Sequence, residues 1–164
     1  MSLKTTKINT EDKNKFYKLL AQQAEGLLSV ENNLIANAAN LSSLLYHSLD
    51  QVNWVGFYLL NNDELVLGPF QGHVACTRIP IGQGVCGAAF SQNTILRVAD
   101  VSAFKGHITC DSASASEIVI PLTINNHLVG VLDIDSPNLN RFDPEDQQGL
   151  QAIADIFCQS VATS

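Results

Sequence analysis

Two runs dense in β-branched residues, "SEIVIPLTI" and "LVGVLDID", flank Asn125-Asn126. Asparagine tolerates the left-handed backbone that a tight hairpin turn requires, so the two runs are expected to pair antiparallel. This hairpin sets the pattern for the middle of the chain. "NWVGFYLL" (53–60), "ELVLGPF" (64–70) and "HVACTRI" (73–79) are equally short and are separated by Asn-Asn-Asp or glycine. "ILRVAD" (95–100) adds one more strand. Sequential hairpins followed by a helix point to an antiparallel sheet with helices on one face, a layered α+β domain.

The flanks change period. Phe16, Leu19, Leu20, Ala24, Leu27 and Leu28 recur at helical spacing within 10–29, with Thr10 as the expected cap and Glu11 and Asp12 at the positive end of the dipole. A second helix is expected over 32–49, with Leu34, Ala38, Leu41, Leu45 and Leu49 on one face. "GVCGAAFSQ" (84–92) reads as a short helix after the Gly82–Gly84 turn. The last helix is the plainest: Asp143 caps it, Pro144 opens it, Glu145 and Asp146 complete its first turn, and Leu150, Ile153, Phe157 and Val161 mark its buried face. No repeat, low-complexity stretch or linker divides the 164 residues. One domain is expected: helices over 10–49, sheet and loops over 50–136, and a closing helix over 143–161. With the helices behind the sheet, its other face and the segments around 72–116 are free to build a site.

A net charge of −7 argues against nucleic acid, which needs a basic face. No apolar run reaches membrane-spanning length, and the N-terminus lacks a signal-peptide core, so a cytoplasmic protein with reduced thiols is expected. In that setting the cysteines call for an explanation. Cys158, beside Phe157, reads as a small buried hydrophobe in the last helix. Cys76, Cys86 and Cys110 fall in polar, glycine-flanked stretches without a C-x-x-C pair. His73 and His107 each precede a cysteine in an H-x-x-C pattern, which keeps metal binding open beside redox or nucleophilic chemistry and plain burial. Cys110 has the strongest claim to reactivity. It lies next to Asp111, and the amides of Ser112 to Ser116 could form an anion-binding concavity that favours a thiolate.

Acidic and aromatic residues complete the set. Asp133 and Asp135, two apart in "VLDIDS", point to one face of their strand, and Glu117 opens the preceding one. Such carboxylates repel unless a cation or ammonium group lies between them, or one is held protonated as an acid. Solvated strand ends are the plain alternative. Trp54 and Tyr58 share a face of "NWVGFY" and either pack in a core or wall an apolar pocket beside the carboxylates.

The segments "WVGFYLL", "LVLGPFQGHVACTRIPIGQGVCG", "GHITCDSASASEIVIPL" and "VGVLDIDSPNLNRFDPEDQQGL" together resemble the free methionine-(R)-sulfoxide reductases, stand-alone GAF-domain enzymes, over about residues 50–155. The resemblance implies a GAF-like α+β fold: a six-stranded antiparallel sheet with N- and C-terminal helices packed on one face, assembled as a homodimer. It implies reduction of the free amino acid sulfoxide, with no cofactor and no metal, and thioredoxin as reductant. Cys110 would be the nucleophile. Cys76 and Cys86 would be the recycling cysteines, Cys76 the first choice, with movement of the Gly82–Gly87 segment bringing sulfurs together. Glu117, Asp133 and Asp135 would bind the substrate ammonium, with Glu117 or an aspartate supplying a proton. Trp54 and Tyr58 would hold the methyl group. The rival expectation is a GAF-type small-molecule sensor or thiol redox switch without turnover.

Overall fold

In the computed structural model, residues 3–108, 110 and 112–162 are described. Helices α1 (Lys13–Leu28) and α2 (Leu34–Ser48) each start after a side-chain cap. Asp12 accepts from the Lys15 amide at 3.2 Å and Asn33 from the Ala36 amide at 3.0 Å. Thr10 is therefore not the cap; its hydroxyl accepts from the Asp12 amide at 3.2 Å, one step before the helix proper. The sheet follows as β1 (Trp54–Asn61), β2 (Glu64–Gly72), β3 (Arg78–Pro80), β4 (Leu96–Val98), β5 (Ser116–Ile124) and β6 (His127–Ser136), in the spatial order β3-β2-β1-β6-β5-β4. Every neighbouring pair is antiparallel. Asn125 and Asn126 both adopt positive φ, 50° and 64°, and turn β5 into β6 as the hairpin reading requires.

Two edge strands are shorter than their residues suggest. β3 spans Arg78–Pro80 and keeps only Arg78 and Ile79 of the expected 73–79 run. Carbonyls of the excluded stretch are taken by side chains from β1: the Trp54 indole donates to His73 at 3.1 Å and the Tyr58 hydroxyl to Cys76 at 2.8 Å. β4 likewise stops at Val98, because Asp100 caps a short 3₁₀ turn over Val101–Ala103.

The sheet is buried on both sides. Alternate residues of its central strands, among them Val55, Phe57, Ile118, Ile120, Leu132 and Ile134, meet α1, α2 and α4 (Pro144–Val161) in the larger core. A capping box opens α4, as Asp143 and Asp146 each accept from the other's amide. Asp146 also ties α4 to α1: it is fully buried, accepts from the Tyr17 hydroxyl at 2.6 Å and pairs with Lys13 at 2.7 Å. Cys158 is half-buried at the margin of this core, less enclosed than its position beside Phe157 suggests, and burial pushes its thiol up to about 11. On the opposite face, α3 (Gly84–Gln92) and the connections around it cover a smaller cluster that includes Trp54, Tyr58, Cys86, Val119 and Val131.

Candidate functional site

Strand register assembles the site. β1 and β6 set Trp54 opposite Asp135 and Gly56 opposite Asp133; β5 and β6 set Glu117 opposite Asp135 and Val119 opposite Asp133. Paired residues share a face, so Trp54, Tyr58, Glu117, Asp133 and Asp135 all point away from the large core. Gly56 makes this packing feasible. A Cβ there would come within 2.6 Å of the Trp54 ring and 2.4 Å of Phe70, so only glycine lets the indole lie across the strand. The indole is stacked between Tyr58 and Phe70, at centroid distances of 5.9 and 5.3 Å.

The carboxylates are not solvated strand ends. Glu117, Asp133 and Asp135 are 7, 5 and 9% exposed, too buried for three free charges to be tolerated. Burial first, and then the neighbouring Asp133 carboxylate, pushes the Glu117 carboxyl well above its ordinary range. Asp133 is raised by burial and by Asp135. Asp133 Oδ1 is buried and finds no hydrogen-bond donor among the described residues. A group bearing positive charge and several N–H bonds would answer both the repulsion and the unmet acceptor.

Cys86 joins this cluster from α3. Gly84, at φ +63°, turns the chain into the helix and brings the Cys86 Sγ to 3.8 Å from Glu117 Oε1. Cys86 lies in the first turn of α3, the short helix expected over 84–92, and is buried despite its polar, glycine-flanked surroundings in the sequence. Burial and the Asp133 carboxylate push its thiol upward, which disfavours the thiolate. Ligand atoms of Cys86, Glu117 and Asp133 lie within 4.8 Å of one another, a donor set a thiophilic cation could share.

Cys76 and Cys110 form a disulfide with Cα atoms 5.2 Å apart. Both cysteines of the H-x-x-C pairs are committed to this bond, so those pairs do not form the metal site left open by the sequence. With the bond formed, the Gly82–Gly87 segment is closed on itself, Gly82 N–H donating to Gly87 O at 2.9 Å. Trp54, Tyr58, Cys86, Cys110, Glu117, Asp133 and Asp135 line one cavity of about 40 Å³; Cys76 is bonded to Cys110 but lies outside that lining. With the disulfide formed, the space accommodates a few waters. Of the amides expected around Cys110, that of Ala115 is taken by Ser136 O at 2.7 Å. Asp111, the other expected neighbour, lies outside the described residues.

Two lining or supporting residues were not foreseen. His107 lines the cavity, and its buried Nδ1 has no partner among the described residues; the H-x-x-C pattern marked it, but for a metal. Phe70 backs Trp54, and nothing in the local pattern of β2 distinguishes it from an ordinary strand phenylalanine.

A helix-backed antiparallel sheet with a half-buried disulfide beside a buried acidic pocket defines an α+β domain equipped for thiol chemistry. The GAF domain family model matches residues 19–161. The chain is 50% identical to the free methionine-R-sulfoxide reductase of Escherichia coli over 93% of both chains. Its identity to the Saccharomyces cerevisiae protein of that name is 39%, over 91% of this chain and 87% of the other. The X-ray structure of free methionine-R-sulfoxide reductase from Neisseria meningitidis, in complex with its substrate, superposes with a TM-score of 0.91 at 42% identity, covering 96% of this chain and 95% of that one. The chain belongs to the GAF-domain family and, within it, to the free methionine-R-sulfoxide reductases.

Proposed function

We propose that this chain reduces free L-methionine-(R)-sulfoxide to L-methionine, cycling through the Cys76–Cys110 disulfide. One observation carries the reading: a disulfide whose inner sulfur, Cys110, lines the same cavity as three buried carboxylates and two stacked aromatic rings. The family's substrate needs each of these parts.

Free methionine sulfoxide brings an ammonium group. Placed among Glu117, Asp133 and Asp135, it relieves their mutual repulsion and supplies donors to Asp133 Oδ1. Trp54 and Tyr58 form the apolar wall for the methyl group. Cys110, as thiolate, attacks the sulfoxide sulfur. The departing oxygen takes a proton from a carboxyl held protonated in this site; Glu117, raised by burial and by Asp133, is the first candidate. The protonated oxygen passes to Cys110 Sγ as the transient bond between the two sulfurs breaks; methionine leaves with two electrons gained, and Cys110, two electrons poorer, is a sulfenic acid. The Cys76 thiol condenses with it, releasing water and forming the disulfide. Cys86, buried with a raised thiol, is the less apt partner and serves by packing against Glu117. An external dithiol, thioredoxin in this reading, restores both thiols. Assembly as a homodimer follows from the family resemblance and is checked by sedimentation.

The test is turnover. Purified protein with dithiothreitol and free methionine-(R)-sulfoxide should release methionine, detected by mass spectrometry, and should ignore the S epimer. A peptide nitrogen carries no charge, so N-acetylated substrate leaves the carboxylates unmet; discrimination on the order of 10⁴ is expected. Binding without any methionine release would instead make the domain a sensor.

A further inference from the structure

The two sulfurs of the disulfide are unequal partners for a reductant. Cys110 lines the cavity, whereas Cys76 is outside that lining, in a strap over residues 72–78 that touches the cavity through Ala75. Gly72, His73 and Val74 before Cys76, and Thr77 and Arg78 after it, are exposed. Val74 is 86% exposed, more than any other large apolar side chain described. The strap is nonetheless held in place, since its His73 and Cys76 carbonyls accept from Trp54 and Tyr58 at 3.1 and 2.8 Å.

Thiol–disulfide exchange is a displacement in which the incoming sulfur approaches its target from the side away from the sulfur that leaves. For Cys110 that side is the cavity of about 40 Å³, lined by Trp54, Ile108 and the three acidic residues, which leaves little room for the thiol of a partner protein. For Cys76, itself half-buried, it is the side of the strap, where Val74, Thr77 and Arg78 are exposed. We propose that an external protein dithiol attacks Cys76 Sγ, docking on the 72–78 strap with Val74 as its apolar contact. This rests on the reductase reading, which requires a reductant to reach the disulfide. A dithiol protein is the fitting occupant because it must present both a thiolate and the surface around it.

The electrons balance in two exchanges. The first thiolate of the partner bonds to Cys76 Sγ, the Cys76–Cys110 bond breaks, and Cys110 leaves as a thiolate. The partner's second thiolate then attacks its own sulfur in the mixed disulfide. Cys76 leaves and takes up a proton, and the partner carries away the oxidising equivalents as its own disulfide. This order releases the nucleophile first, inside the cavity where the next substrate binds.

The test uses the oxidised full chain and a thioredoxin whose second active-site cysteine is replaced by serine, so that the mixed disulfide accumulates. Peptide mapping should place the adduct on Cys76; an adduct on Cys110 overturns the proposal. No substrate is involved, so this result stands apart from the reductase reading. In parallel, V74E should raise the KM for thioredoxin about tenfold, as expected for loss of an apolar contact, and leave dithiothreitol-driven turnover unchanged. Equal KM values for V74E and wild type would remove the docking surface. Wild-type protein that turns over with neither reductant would count against the reductase reading instead.

Discussion

The two faces of the sheet are built from the same strands and do opposite work. On the helical face, Val55, Phe57, Ile118, Leu132 and Ile134 meet α1, α2 and α4, and every one is fully buried and apolar. One residue along each strand, the other face carries Trp54, Glu117, Asp133 and Asp135. Burying uncompensated carboxyl groups costs stability, and burying aliphatic chains supplies it. The helical face therefore holds the fold while the other stores an unmet demand for positive charge. Because side chains alternate, one short strand serves both tasks, and the two can be broken separately.

The sharpest break is chemical. C110S should lower kcat/KM on free methionine-(R)-sulfoxide by about 10⁴ or more, the scale seen when a nucleophile is removed. Its far-UV circular dichroism should match that of the reduced wild type, because the helical face is untouched. Near wild-type methionine release from C110S would move the nucleophile elsewhere, Cys86 first.

The converse break is structural. Phe157 is fully buried and packs on Phe57 at a centroid distance of 4.8 Å. F157A should cost about 3–5 kcal/mol in chemical denaturation. Where the variant remains folded, its KM should stay near the wild-type value. A large rise in KM without loss of stability would show that the faces are not separable.

How much of this contrast was legible in the sequence follows the range of the interactions. Strand alternation and the Asn125-Asn126 turn are local, so the hairpin, the shared face of Asp133 and Asp135, and the Asp143–Pro144 helix start were all readable. The cysteine spacing, through family resemblance, pointed to Cys76 and Cys110 as partners. What escaped depends on groups distant in the chain. β3 is short because Trp54 and Tyr58 capture the carbonyls of residues 73 and 76. Asp146 looked like a helix-start acid, but it is buried by Tyr17, Lys13 and Arg141. The burial of Cys86 depends on Glu117 and Asp133 arriving from two other strands.

A milder perturbation sharpens the comparison on the acidic face. D135N keeps the shape of the side chain and removes one charge from the cluster. A charged partner left unpaired in the site is worth about 1–3 kcal/mol, so the KM for the free amino acid should rise about 10–100-fold. Alkylation of Cys110 by a neutral reagent should change little, and stability without substrate should not fall, since a source of repulsion is gone. The comparison to run is kcat/KM on free and N-acetyl substrate for both proteins. Equal wild-type values for the two substrates would show that these carboxylates do not read the ammonium.

The smallest effect comes from a carboxylate on the helical side, where the pH logic has the opposite sign. Burial tends to raise Asp143, but the Lys13 ammonium at 2.6 Å and the Asp146 amide overcome it and hold the group down at about 2. Its folded pKa lies below the ordinary carboxylate value of 3.8, so its contribution is present above that value and lost as pH falls toward about 2. Glu117 and Asp133 are raised, so their preference for the folded state is greatest at low pH and fades as pH rises. Asp143 is 47% exposed and its ion pair is screened, so the gain it brings is small. D143N isolates the charge, because asparagine still caps a helix well. At neutral pH it should lower Tm by about 1–3 °C, the scale of an exposed ion pair in a domain of this size. The gap should close as pH is lowered toward 2, where wild-type Asp143 is itself protonated. A gap that stays constant across this range would assign the loss to cap geometry rather than to the Lys13 pair.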